Sequence, residues 1–269
     1  QTFRWKRDGD WFEGIVFNNI VRIRQDESTI EFTSTPDDEV LVRPLLTDYL
    51  AIGVDLEQIY SSIGVDDRII SAISRYRGMR ILRQDPWECL VSFICSSASN
   101  IPRISSNVES ICTAFGQEIG FGDSFRKTFP TPQELAGVDE YAIRQCGVGY
   151  RAPFIADTAR AVADGVPDLM TLREVPYEEA LRELTLLDGV GDKVANCVLL
   201  FSLNKLEAFP VDVWIDRAIR EWYLSDVKER LTRKNMRLWA RDYFGSYAGY
   251  ANQYLFHDRR LLGRGQKLT

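Results

Sequence analysis

Residues that hold metals are scarce in this chain. Its 269 residues include one histidine, His257, and five cysteines, none spaced as CxxC. A zinc site or a four-cysteine iron–sulfur cluster is therefore not expected, and neither is any other cofactor; no side chain is assigned to a metal. Cys89, Cys95, Cys112, Cys146 and Cys197 are odd in number and widely spaced. That argues against a disulfide framework and for a reducing, intracellular compartment. No apolar run reaches the roughly 18 residues that a spanning helix needs, so no membrane partner is expected. Gln1 to Trp5 has no signal-peptide core. An initiator methionine is missing, and a truncated or processed chain is expected. Net positive charge is missing as well. Lys and Arg number 33 against 39 Asp and Glu, a balance of −6 that by itself speaks against a nucleic-acid partner. The deficit is uneven, however, with +7 on residues 228–269 and −13 on the rest. Screening limits the reach of distant charges to about 8–10 Å, so a local basic surface can still hold phosphates. The same stretch also reads as an ordinary solvated face.

What is present is the composition of a soluble globular protein, 45% apolar and 27% charged. The first part alternates. Trp11 to Phe17, Ile20 to Gln25, Thr29 to Ser34 and Glu39 to Arg43 read as antiparallel strands, with Asn18-Asn19 as a turn. Short helices are expected between Leu45 and Arg77. From Asp85 the period becomes helical. Asp85-Pro86 is an N-cap followed by proline, and Trp87, Leu90, Val91, Ile94 and Cys95 share one face. Pro102 opens a second helix, and others are expected near 139–145, 151–163, 176–187, 192–203, 213–223, 232–244 and 246–262. The fold class is thus α+β, mainly α. An N-terminal antiparallel β domain with short helices is expected over 1–82, followed by a helical body over 83–269.

The chemistry concentrates between Leu184 and Arg217. An amphipathic helix ends at Leu187, Gly189-Val190-Gly191 makes a tight turn, and a second helix starts at once, a helix-hairpin-helix over 176–203. Glycines let a backbone turn sharply and approach a ligand. The free N–H groups and dipole of the following helix suit a phosphate, although a plain helical hairpin needs the same glycines. Lys193 falls in the first turn of that helix, where an ammonium is disfavoured. An amine nucleophile needs such help, while a lone lysine there would read as a surface residue. Asp212, in Pro210-Val211-Asp212, is an N-cap candidate. A carboxylate held by backbone N–H groups is expected to stay ionised and to stabilise a cationic sugar or orient a nucleophile. Cys197 lies one turn after Lys193, on the same face.

At these residues the sequence resembles the helix-hairpin-helix-GPD superfamily of DNA glycosylases, and within it the 8-oxoguanine DNA glycosylase/AP lyase group. The resemblance rests on Phe3-Arg4-Trp5, Leu82-Arg83-Gln84-Asp85-Pro86, Glu88-Cys89-Leu90 and Ser92-Phe93-Ile94-Cys95-Ser96-Ser97. It continues through Gly149-Tyr150-Arg151-Ala152, Gly189-Val190-Gly191-x-Lys193-Val194-Ala195, Pro210-Val211-Asp212-Val213 and Tyr247-Ala248-Gly249. It implies a β domain followed by helical domains, with the site in the cleft between them. Lys193 would attack the deoxyribose C1′ and form a Schiff base, and Asp212 would stabilise the sugar cation. The partner is double-stranded DNA with a damaged base flipped out of the stack, bound by a monomer. Cys197 and Phe256 would sandwich that base, Tyr150 would wedge into the duplex, and Arg103 and Arg151 would read the cytosine opposite. Gly189, Val190 and Gly191 would hold a phosphate, with a possible backbone-bound cation. Such a protein is expected to be DNA-associated, in the cytoplasm or nucleoid or in the nucleus.

The sequence also departs from that pattern. Ala98, followed by Ser99 and Asn100, stands where the family has a void-filling asparagine. Asn252, beside Gln253, replaces a base-reading glutamine, Trp214 replaces a histidine, and Asp188 replaces a proline. The family's contact to the N7 hydrogen of 8-oxoguanine comes from a residue before Gln1. A glycosylase for another damaged base and a non-catalytic helix-hairpin-helix DNA-binding module stay open as alternatives. The first is disfavoured by Lys193, the second by Lys193 together with Asp212.

Overall fold

A computed structural model describes residues 3–121, 124–225 and 231–262. The chain opens with strands β1 (Lys6–Asp8), β2 (Trp11–Val16), β3 (Asn19–Asp26) and β4 (Thr29–Thr35), which pair antiparallel in that order. The β2–β3 turn is one residue earlier than Asn18-Asn19. Phe17 and Asn18 both take positive φ, and Asn19 begins β3 with its amide tied to Phe17 and Asp37. A two-residue loop with both residues left-handed matches the twist of a hairpin.

Glu39 to Arg43 is not a strand. It begins α1 (Glu39–Tyr49), because the Asp38 carboxylate accepts from the N–H groups of Val40 and Leu41 at 3.0 and 3.1 Å. Val40 and Val42 suggested alternation, but the cap decides the element. Val42, Leu46 and Tyr49 of α1 then pack on Val16 and Val21 of the sheet, which makes a small separate core.

Helices α2 (Leu56–Ile63) and α3 (Asp67–Arg75) follow, then α4 (Pro86–Cys95) and α5 (Ile101–Phe115). Asp85 and Asn100 cap the last two, as their side-chain types require. A hairpin of β5 (Glu118–Phe121) and β6 (Ser124–Lys127) and the short helices α6 (Pro132–Ala136) and α7 (Glu140–Ile143) complete the middle of the chain. The hairpin and α6 were not anticipated, although Thr131 and Glu134 form a full capping box.

The remainder is helical: α8 (Ala152–Ala163), α9 (Tyr177–Thr185), α10 (Asp192–Phe201), α11 (Val213–Trp222), α12 (Arg233–Phe244) and α13 (Ala248–Leu262). α4 and α10 are buried along most of their length and lie at the centre of the large core. α13 is locked beside them. A Cβ on Gly249 would sit 2.2 Å from Leu200, so only glycine allows this approach. Farther along α13, fully buried Asp258 pairs with Arg75 at 2.8 Å and accepts from the Tyr76 hydroxyl at 3.2 Å. No helix among the described residues is long and apolar enough to cross a membrane.

Candidate active site

A cleft of about 580 Å³ runs between the segment after α4, the turn before α10 and the start of α11. An inner recess opens from it, with Lys193, Cys197, Asp212, Gln253 and Phe256 on its walls. The starts of α10 and α11 and the middle of α13 thus converge on one space.

The α9–α10 turn is fixed at Gly189. Its φ is +79°, and a Cβ there would fall 2.6 Å from the Phe154 ring of α8. Gly191, the N-cap of α10, meets nothing within 4 Å, and no side chain caps the first N–H groups of α10. The Val190 side chain is buried beneath them. A buried network holds the base of the hairpin. Arg237 of α12 pairs with Asp192 at 3.1 Å and donates to the Tyr177 hydroxyl, which donates to Asn196.

Lys193 is half-buried. Its Nζ donates to Ser96 Oγ at 2.8 Å and lies 5.0 Å from the centre of the Phe93 ring. Asp212 is indeed the N-cap of α11, accepting from Trp214 and Ile215 at 2.9 and 2.8 Å. No ion pair joins it to Lys193; the two share the recess. Burial pushes the Asp212 carboxyl above its ordinary value, against the pull of the Ile215 N–H and the Lys193 charge. Desolvation thus opposes the backbone N–H groups that were expected to keep this carboxylate ionised, and it is the larger of the two effects. Burial likewise raises the Cys197 thiol despite Lys193 beside it, so the sulfur stays protonated.

Asn252 also lines the recess, but its amide is engaged within the protein. It is fully buried and donates to the Pro210 carbonyl at 2.9 Å, and its oxygen accepts from Gln253 Nε2 at 2.9 Å. It therefore anchors the loop that carries Asp212, while Gln253, partly exposed, remains at the recess wall.

On the far bank, Tyr150 is more than half exposed and its hydroxyl reaches the Ser97 carbonyl at 3.4 Å. Arg151 was expected to be free for a base, yet it is buried. Its guanidinium donates to the carbonyls of Ser97 and Val148 at 2.9 and 3.0 Å. Arg103 is exposed, with no guanidinium partner among the described residues, and Asn100 is spent capping α5 through the Arg103 N–H. Ala98 sits at φ +47°, a left-handed conformation that asparagine tolerates better.

The basic stretch reaches the cleft only in part. Arg233 and Arg260 line the cleft, whereas Arg241 bonds Glu178 and Arg259 bonds Glu221. Lys228, Arg230, Arg264 and Lys267 lie outside the described residues, as do Gln1 and the position before it. No group of three or more potential metal ligands occurs among the described residues.

Comparison with known proteins bears on this geometry. Residues 91–241 match the family described as HhH-GPD superfamily base excision DNA repair protein. The chain belongs to that superfamily. Residues 1–90 of this HhH-GPD protein also match the 8-oxoguanine DNA glycosylase N-terminal domain. It is 35% identical over 273 residues to the N-glycosylase/DNA lyase OGG1 of Arabidopsis thaliana, covering 95% of this chain and 74% of that one. The N-glycosylase/DNA lyase of Saccharomyces cerevisiae is 34% identical, with 88% and 73% covered. The solved structure of MBOgg1 with a low-affinity DNA ligand superposes with a TM-score of 0.91 at 36% identity, over 98% of this chain and 90% of that one. The Clostridium acetobutylicum 8-oxoguanine glycosylase/lyase, bound to duplex DNA with cytosine opposite 8-oxoguanine, gives 0.89 at 30%, over 98% and 89%.

In this HhH-GPD protein, sequence reasoning missed Ser96 and Phe93, which contact the Lys193 amine, as well as Phe3, Arg233 and Arg260 at the cleft. Ser96 and Phe93 lie in a quoted matching segment, but no local spacing connects them to residue 193.

Proposed function

We propose that this protein excises 8-oxoguanine from duplex DNA and then nicks the strand at the resulting abasic site. The observation that carries the reading is Lys193, half-buried in a recess that it shares with the Asp212 carboxylate, beside a helix start with uncapped N–H groups. In the proposed reaction the neutral Lys193 amine attacks C1′ of the flipped nucleotide. The C1′–N9 bond breaks, and the base leaves with that electron pair and takes up a proton. Opening of the sugar ring gives the Schiff base. Loss of a proton from C2′ then expels the 3′ phosphate, and water restores the lysine. Asp212 offsets the positive charge that develops on the sugar.

Cys197 and Phe256 flank the base, and Gln253 rather than Asn252 reads its edge. Tyr150 wedges into the duplex and Arg103 reads the opposite base, with Arg151 bracing the loop between them. Gly189, Val190 and Gly191 hold a phosphate at the start of α10.

Borohydride trapping on a duplex with one 8-oxoguanine opposite cytosine tests the reading. A covalent adduct is expected with wild type and lost with Lys193→Gln or with unmodified guanine. A wild type that binds the duplex yet gives neither adduct nor nick across several lesions would point to a binding module instead.

A further inference from the structure

The amine of Lys193 is held by a side chain that has no part in the reaction above. Ser96 caps the C-terminus of α4. Its Oγ lies 2.8 Å from Lys193 Nζ and 2.6 Å from the Phe93 carbonyl oxygen. A carbonyl oxygen only accepts, and a hydroxyl carries a single proton. The Ser96 proton is therefore committed to Phe93, and toward Lys193 the oxygen is an acceptor only. We propose that Ser96 is a positioning residue for the nucleophile, fixing one N–H of Lys193 so that the rest of the nitrogen faces the recess. The proposal rests on the Lys193 reading above.

The surroundings of the amine support this assignment. Its obvious electrostatic partner, Asp212, is turned to the backbone of Trp214 and Ile215 and makes no ion pair with it. The Phe93 ring, 5.0 Å from Nζ, and the Cys197 thiol beside it are further contacts, and one turn of α4 provides both the hydroxyl and the aromatic face. Without an acceptor there, a four-carbon stem spreads over many rotamers, and near-attack geometry becomes rare. Ser96 is not a base in this scheme. To accept a proton it would become an oxonium while its own proton stayed on Phe93. Its loss should slow the attack while leaving proton transfer and DNA binding in place.

Threonine and valine at this position have nearly the same shape and differ by the hydroxyl. Single-turnover borohydride trapping at saturating enzyme, on the 8-oxoguanine duplex, compares wild type, Ser96→Thr, Ser96→Val and Lys193→Gln. Ser96→Val is expected to trap roughly 10- to 100-fold more slowly. Its duplex Kd should stay within about twofold of wild type, a change in rate rather than in binding. Ser96→Thr should recover most of the rate. Should the branched side chains crowd the fold, as a thermal melt would reveal, Ser96→Ala against wild type replaces the pair. Equal rates for threonine and valine, or an alanine variant at the wild-type rate, would overturn the assignment alone, provided Lys193→Gln is dead. Trapping by Lys193→Gln at the wild-type rate, or none by wild type, would overturn Lys193 as nucleophile and Ser96 with it.

Discussion

The two banks of the cleft are built by different means. The hairpin bank is fixed by its own backbone and by close packing, with Gly189 in a left-handed turn pressed on Phe154 and α10 buried behind it. The opposite bank, from Ser96 to Asn100, has no regular structure and is held by side chains that reach into it. Arg151 and Tyr150 donate to the Ser97 carbonyl, and Asn100 accepts from the Arg103 N–H. Lys193 crosses from the first bank to Ser96 on the second. A bank set by φ, ψ and packing cannot shift without loss of the fold, whereas hydrogen bonds to carbonyls can exchange partners one at a time. The rigid bank carries the proposed nucleophile and phosphate site, and the adaptable one adjoins Tyr150 and Arg103, which are proposed to meet the bases.

Five substitutions would break or sharpen this contrast. The largest effect is expected at the carboxylate proposed to be catalytic. Asp212→Asn should lower the single-turnover rate by about 100- to 1000-fold, as for loss of a preorganised electrostatic group. The fold should gain stability, because burial already disfavours the ionised form and asparagine caps equally well. A Tm below wild type would contradict the second half. The same elevation places the acid limb of the reaction above the pH at which an ordinary aspartate would lose its charge.

Next come the two hairpin glycines. Gly189→Ala must accept both a left-handed alanine and a clash with Phe154, an expected loss of about 2–4 kcal/mol in denaturant unfolding. Gly191→Ala has open space and ordinary φ and should cost at most about 1 kcal/mol, while weakening duplex binding. Equal losses at the two positions would show that the bank is not set by backbone geometry.

Sequence made the rigid bank readable and the adaptable one obscure. The glycines, the N-caps at Asp85, Asn100 and Asp212, and the apolar face of α4 are local signals, and each element formed where its cap and period required. The Glu39–Arg43 error came from weighing alternation above the Asp38 cap. By contrast, Arg151 turning inward, Asn252 choosing Pro210 and Lys193 meeting Ser96 are choices between residues about 40 to 100 positions apart. Such pairings depend on how helices pack, which no short window of sequence records.

Smaller effects are expected on the adaptable bank and at its root. Ala98→Asn should raise stability by up to about 1 kcal/mol, since asparagine relieves the left-handed alanine. No change would mean that the loop already relaxes without help. Glu88, on α4 beside Arg4, has its carboxyl pushed up by burial to about 7, with Arg4 pulling it back. The folded state thus prefers the protonated form. Its stabilising share is present at low pH and lost as pH rises through about 7. Glu88→Gln should therefore melt above wild type near pH 8 and draw level with it only at about pH 4, where the unfolded chain is protonated as well. A Tm difference that does not change with pH would count against this carboxyl as the titrating group.

Phe3 lines the cleft at one end of the described chain, and Phe256 lines it from within the last helix. Almost the whole polypeptide lies between these two walls. During synthesis the hairpin and Lys193 leave the ribosome well before α13 does, so for that interval the proposed nucleophile has no Phe256 facing it. Contacts of such sequence separation form late and slowly in folding. A nascent chain paused before α13 would carry the lysine but not the recess around it, and so could not yet select a lesion.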